Sequence, residues 1–209
     1  MSAAAPEPRR GRPRTMRPDA LLRVATEAYW QEGPSVSVNA ICQRAGVSKP
    51  SLYREFGSED GLASAALQSY GAEVNGQLAS LLGGELCFAE KIEGLLQFAS
   101  EAPRSEHGCL FFKMRAARHD LGPKTQAALI EIEAAMQAIL REFFRTNLAN
   151  GQWSGGIAPE LAAEYLFVQM ALAASLRALG TDAAMVKQLM GLALSVLEGK
   201  GQTSATGEC

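Results

Sequence analysis

Lys49, Pro50, Ser51, Tyr53 and Arg54 fall within one short stretch. They combine two cations and two hydroxyls behind Ser48, a residue suited to capping a helix. Presented on one helix, such a set meets phosphate oxygens through its charges, hydroxyls and free N-terminal N–H groups. The same side chains reach base edges in a groove. Pro50 is compatible with a helix because it lies in the first turn, where its missing N–H costs nothing. Upstream, Ser37 offers a second hydroxyl cap ahead of Val38-Asn-Ala-Ile-Cys-Gln-Arg-Ala45. The chemistry implied is that of polyanion recognition.

Two short helices must position these groups, one from Ser37 to Ala45 and one from Ser48 to Phe56. Gly46 supplies the turn between them, which needs a residue tolerant of positive φ. Cys42 is the small residue where the two cross, and Ile41, Val47 and Leu52 pack between them. This is a helix-turn-helix, whose second helix enters the major groove. A preceding helix runs from Pro18 to Glu32, with Leu21, Ala25, Ala28 and Tyr29 on one face and Gly33-Pro34 ending it. Ser58 caps a long helix that stops at Gly83-Gly84, with Glu59 and Asp60 favourably placed in its first turn.

The spacing of apolar residues and of Gly and Pro predicts further helices over 86–102, 109–119, 123–149, 159–179 and 182–198. No stretch alternates with period two, so the fold class is all-α with about nine helices. The 209 residues are 47% hydrophobic, which excludes a disordered chain. The most apolar run, 165–176, is shorter than the ~20 residues of a membrane span and is interrupted by Gln169. The reading is therefore a cytoplasmic protein without a membrane partner. Four cysteines, Cys42, Cys87, Cys109 and Cys209, form no C-x-x-C pair, and their wide spacing fits reduced thiols.

Charge is uneven. Residues 1–57 carry nine Lys or Arg against five Asp or Glu; the remainder carry eleven against seventeen. A basic front and an acidic body imply that only the front meets a polyanion. Arg9-Arg-Gly-Arg-Pro-Arg14 sits in a Pro- and Arg-rich arm over 1–17. Arg12 lies within, and Arg14 directly follows, a Gly-Arg-Pro core that resembles an AT-hook, a narrow cationic strip suited to an A·T-rich minor groove. A solvated tail is the competing reading.

Ala40-Ile-Cys-Gln-Arg-Ala-Gly-Val-Ser-Lys-Pro-Ser-Leu-Tyr-Arg-Glu-Phe-Gly-Ser58 resembles the signature of TetR-type transcriptional regulators, and the resemblance covers roughly 18–67. It implies a DNA-binding domain over 18–60 and a helical ligand-binding and dimerising domain over 61–199, with a tail at 200–209. It further implies a repressor that binds palindromic operator DNA as a homodimer and is released by a small molecule. Contacts to DNA would come from Ser37 and from residues 48–54. Glu59 departs from the pattern, standing where a phosphate-binding lysine is common, and puts one backbone contact in doubt.

In the resembled family, the helices beyond the DNA-binding domain surround a ligand cavity. Phe88, Phe98, Cys109, Phe112, Trp153, Tyr165 and Met170 are the candidate lining, suited to an apolar or aromatic effector. Core packing competes for each. The last two helices are apolar over a wide arc. Leu161, Val168, Leu172, Ser175 and Leu179 share one face, and Met185, Leu189, Leu192 and Val196 another. The resemblance implies that these faces pair two protomers in a four-helix bundle, with Ala171, Ala173, Ala174 and Ser175 permitting close approach.

Gly108-Cys109-Leu110 resembles a subgroup in which some members sense electrophiles or oxidants through that cysteine. Gly108 would open a helix, leaving Cys109 at its N-terminus, where the dipole and Lys113 four residues on would favour a thiolate. Cysteine as a small apolar residue at a tight helix start is the plainer reading. A metal site from His107, Cys109 and His119 is disfavoured, because Cys109 and His119 fall roughly 80° apart on a helix. No motif of a P-loop, nucleophile elbow or metallohydrolase is present, so no enzyme, cofactor or metal is expected. The alternative functions are a small helical thiol-dependent redox protein or enzyme using Cys109, and a helical adaptor.

Overall fold

A computed structural model describes residues 18–101 and 105–197, and among these there are nine α-helices and no strand. The arm read at 1–17 and the tail read at 200–209 lie outside the described residues.

Helix α1 (Pro18–Glu32) buries Leu21, Ala25, Ala28 and Tyr29, the apolar face its spacing sets. Helix α2 (Val38–Ala45) begins where Ser37 Oγ accepts the Ala40 N–H at 3.2 Å. It ends at Gly46, whose φ of 65° lets Val47 N–H turn back onto the Cys42 carbonyl. Helix α3 (Lys49–Phe56) is capped by Ser48, with Leu52 as its fully buried anchor. Helix α4 (Glu59–Gly83) starts on Ser58, whose Oγ accepts the Gly61 N–H at 2.9 Å. At 25 residues it spans roughly 37 Å. Residue 60, read as a domain boundary, lies in the first turn of α4.

Helices α5 (Phe88–Glu101), α6 (Leu110–Ala116), α7 (Pro123–Ala149), α8 (Pro159–Ala178) and α9 (Ala183–Leu194) complete the bundle. Three of them differ from expectation for local reasons. Helix α5 starts two residues late because Glu90 Oε2 reaches back to the Cys87 N–H at 2.9 Å and makes Cys87 its cap. Helix α6 stops at Ala116 and gives way to a 3-10 turn at Arg118–Asp120, exposed residues with nothing to bury. Helix α9 stops at Leu194 and closes in a 3-10 turn, Ser195–Leu197.

Helix α4 packs chiefly on α7, with α1 on its N-terminal half, and α7 packs on α8. One contact pins the start of α4 to the start of α7. Gly122, the cap of α7, has no side chain, and Asp60 from the first turn of α4 replaces it. Asp60 accepts the N–H groups of Lys124 (2.9 Å) and Thr125 (3.0 Å) and the Thr125 hydroxyl (2.7 Å). Burial would raise the Asp60 pKa. The bonds from Thr125 and Lys124 outweigh it, so the net value lies below the usual carboxylate range. Asp60→Ala is expected to cost about 1 kcal/mol in urea unfolding at neutral pH, as for the removal of other helix caps. A lowered folded pKa gives stability that is present above the unfolded value of about 3.9 and lost as pH falls through the folded one. The gap between wild type and variant is therefore expected to close in acid; a gap that widened there would contradict the assignment.

Candidate nucleic-acid interface and internal cavity

On α3, Pro50, Tyr53 and Arg54 are exposed, while Lys49 and Ser51 are half-buried. Ser48 and Ser51 Oγ lie 3.0 Å apart, and Ser37 and Ser48 both serve as caps. All seven residues thus lie on or beside the two helices of the turn. Arg12 and Arg14 lie outside the described residues.

Sequence reasoning missed what Glu59 does. The Tyr53 hydroxyl donates to Glu59 Oε1 at 2.9 Å, and Lys49 Nζ lies 3.7 Å from the same oxygen. That hydrogen bond, with lesser help from burial, raises the Tyr53 pKa. The carboxylate therefore holds two of the groups assigned to the polyanion, in the way a phosphate oxygen would. Its position at the start of α4, next to the end of α3, was legible; its partners were not.

A cavity of about 370 Å³ lies beneath this head, among six helices. Phe98, Cys109, Phe112 and Met170, four of the seven candidates, line it. The other three are elsewhere. Phe88 stacks on Phe143 at 5.3 Å, and Trp153 packs on Phe144 at 4.8 Å while donating to the Leu197 carbonyl. Together they form an aromatic core at the far end of α7. Tyr165 donates its hydroxyl to the Ala193 carbonyl at 2.7 Å, tying α8 to α9. Burial of a polar tip requires such a partner, and Trp153 and Tyr165 found theirs away from the cavity.

Sequence reasoning also missed Trp30, Tyr70, Glu73 and Gln77, which line the cavity from α1 and α4. Trp30 matters most. Its ring stands edge-on to Tyr70 at 5.1 Å, and its Nε1–H donates to the Gly108 carbonyl at 2.7 Å. Lys113 donates to the Trp30 carbonyl. The end of α1 is thereby fastened to the start of α6 at the cavity wall. Gly108 has a φ of 71°, and a Cβ there would sit 2.5 Å from the Ala174 carbonyl, so only glycine fits between these helices.

Burial at this junction favours the plainer of the two readings of Cys109. Cys109 occupies the cap position of α6 without making a side-chain cap. Burial pushes its thiol above the ordinary value, outweighing Tyr70, the Phe112 and Phe111 N–H groups and Lys113. Lys113, four residues on, still favours the thiolate by its charge while donating to the Trp30 carbonyl, but burial outweighs it. Cys109 lies in the cavity wall, where burial favours its neutral thiol.

On α8 and beyond it, Leu161, Val168, Leu172, Ser175, Leu179, Met185, Leu189, Leu192 and Val196 are all exposed. Leu179 and Leu192 are 82% and 73% exposed. The stripe of small residues is less uniform than read: Ala173 turns into the core, and only Ser175 of the four is fully on the surface. Among the described residues, no group of three or more metal-ligating side chains converges, and no helix is long and apolar enough to cross a membrane.

The fold and head have counterparts among regulators. Residues 21–66 match the family model of bacterial regulatory proteins, tetR family. The chain is similar to the HTH-type transcriptional repressor BdcR of Escherichia coli, 26% identical over 134 residues, covering 64% of this chain and 68% of that one. It is similar to the transcriptional regulator AcuR of Cereibacter sphaeroides, 28% identical over 173 residues and 78% of each chain. Among solved structures, a cysteine mutant of the TetR family regulator CifR, complexed with 26 bp double-strand operator DNA, superposes with a TM-score of 0.75. That likeness is 23% in identity, covers 88% of this chain and 98% of that one, and shows the fold.

Proposed function

We propose that this chain is a cytoplasmic transcriptional repressor that binds palindromic operator DNA as a homodimer and lets go when a small apolar or aromatic molecule occupies the cavity. The observation that carries the reading is the continuity of α4. Its first turn holds α3 through Glu59, and its middle supplies Tyr70, Glu73 and Gln77 to the cavity wall. A ligand that moves Tyr70 or Trp30 moves helices that seat the reading head, so occupied and empty states differ in half-site spacing. On DNA, Lys49, Tyr53 and Arg54 meet the major groove, and Ser37 and Ser48 lie at helix starts whose N–H groups meet phosphates. Arg12 and Arg14 follow the adjoining minor groove. The relatives named above are repressors and regulators, and one neighbour is seen on operator DNA, which supports the reading. The raised Cys109 thiol speaks against the thiol enzyme.

The test is a mobility-shift titration against the region upstream of the gene. Salt-dependent, saturable binding is expected, with Lys49→Ala and Tyr53→Ala each weakening it at unchanged melting temperature. If Lys49 meets a phosphate, its removal lowers the salt slope by about one unit. If it meets a base edge instead, removal costs ~1–3 kcal/mol at one position of the operator. Full affinity in both variants would remove α3 from the interface.

A further inference from the structure

Among the described residues that line the cavity, only Glu73 and Gln77 are exposed, so they mark its mouth. Both come from α4, and with Tyr70 and Val74 they follow the i, i+3, i+4, i+7 spacing of one helix face. Behind them the wall is apolar and aromatic, made by Trp30, Phe98, Phe112, Met136 and Met170. Tyr70 and Cys109 are the titratable groups of the interior, and burial favours the neutral form of each. Glu73 is the only Asp or Glu in the described wall, and no Lys, Arg or His joins it there. Lys113 lies outside the wall and donates to the Trp30 carbonyl. Gln77 Nε2 donates to Glu73 Oε1 at 3.3 Å, and among the described residues the carboxylate makes no ion pair. Its charge reaches inward: after burial and Cys109, it is a further cause of the raised Tyr70 pKa. An apolar cavity of about 150 Å³ holds one benzene ring, so about 370 Å³ has room for two fused rings and a short side chain.

We propose that the cavity takes a cationic aromatic amine, its flat two-ring body against the aromatic wall and its ammonium at the mouth against Glu73. This ligand class rests on the reading of the cavity as the effector site and narrows it. Amines stand above neutral alcohols of the same shape, and carboxylic acids stand below them. The geometry favours that order because the charged ends meet where water still reaches them. The ion pair forms without the cost of taking two charges out of water, and the apolar body alone is desolvated. A carboxylate at the same place faces Glu73 with no cation from the wall to offset it.

Calorimetry on the full chain would compare tryptamine, tryptophol and indole-3-acetate, which share one ring system and differ in the terminal group. The tryptamine amine, like that of lysine, is protonated at pH 7. Saturable binding of one tryptamine per protomer is expected, about fivefold tighter than tryptophol, the upper end for an exposed ion pair. Indole-3-acetate should bind more weakly than tryptophol. Added salt should narrow the gap between amine and alcohol, because the pair is open to screening. Glu73→Gln should erase that gap. Ala99→Trp, which adds bulk at a half-buried wall position, should weaken all three ligands. If the alcohol or the acid binds as tightly as the amine, the proposal is overturned and the effector cavity stands. If none of the three binds at millimolar concentration, or if Ala99→Trp leaves tryptamine binding intact, the proposal falls together with the aromatic-ligand reading of this cavity. The three-ligand comparison uses the wild-type protein, so it decides even where a variant fails to fold.

Discussion

Leu179→Asp combined with Leu192→Asp is expected to convert the protein from dimer to monomer and to remove measurable operator binding. Both side chains stand on the apolar face of the last two helices, exposed in the single chain. Covering a leucine is worth about 1.5–3 kcal/mol. A two-fold interface presents each residue twice, so the pair removes four such contributions and introduces four carboxylates into an apolar contact. The expected loss exceeds what a micromolar dimer can tolerate. A palindrome is read by two heads whose spacing the dimer sets, so the monomer keeps only one half-site. Sizing chromatography with light scattering and a mobility-shift titration measure the two effects. A variant that remains dimeric would move the interface elsewhere. One that is monomeric yet binds the palindrome as tightly would separate dimerisation from reading.

The second large effect is a gain. Glu59→Lys is expected to tighten operator binding by about tenfold or more, in keeping with the strength of counterion release. In the free protein the carboxylate holds Tyr53 and Lys49, and it faces the same polyanion those groups must meet. Replacing it frees the ammonium of Lys49 and adds a second cation at the first turn of α4. The salt slope should steepen by about one unit, for the phosphate engaged by the introduced lysine. Glu59→Gln should tighten binding less and leave the slope nearly unchanged, because it removes a repelling carboxylate without adding a cation. Non-specific DNA should gain as much as the operator, since phosphates carry no sequence information. Weaker binding of Glu59→Gln would instead show that the carboxylate positions Tyr53 for a base edge.

Neither effect follows from the motif alone, and the contrast shows where local sequence stops being sufficient. Ser37, Ser48 and Ser58 cap three successive helices, and Gly46 turns the chain between the first two. Those outcomes depend on neighbours within four residues, so the reading head was legible residue by residue. The exposed face of α8 and α9 was legible for a similar reason: helical period alone decides which residues share a side.

Cavity membership is different, because it depends on which side chains arrive from other helices. Phe88, Trp153 and Tyr165 have the composition of a lining, yet stacking on Phe143 and Phe144 and a carbonyl at Ala193 drew them away. Trp30 and Tyr70 entered the wall from the helices that support the reading head. Cys109 shows the limit most clearly. Helical spacing brings Lys113 to its face, but burial by helices distant in sequence outweighs that charge. The sequence by itself determined the helices and their caps, since these rest on short-range hydrogen bonds and periodicity. Only the tertiary structure decided the cavity, the state of its thiol and the partners of Glu59, because a buried polar group takes whichever partner the packing brings within reach.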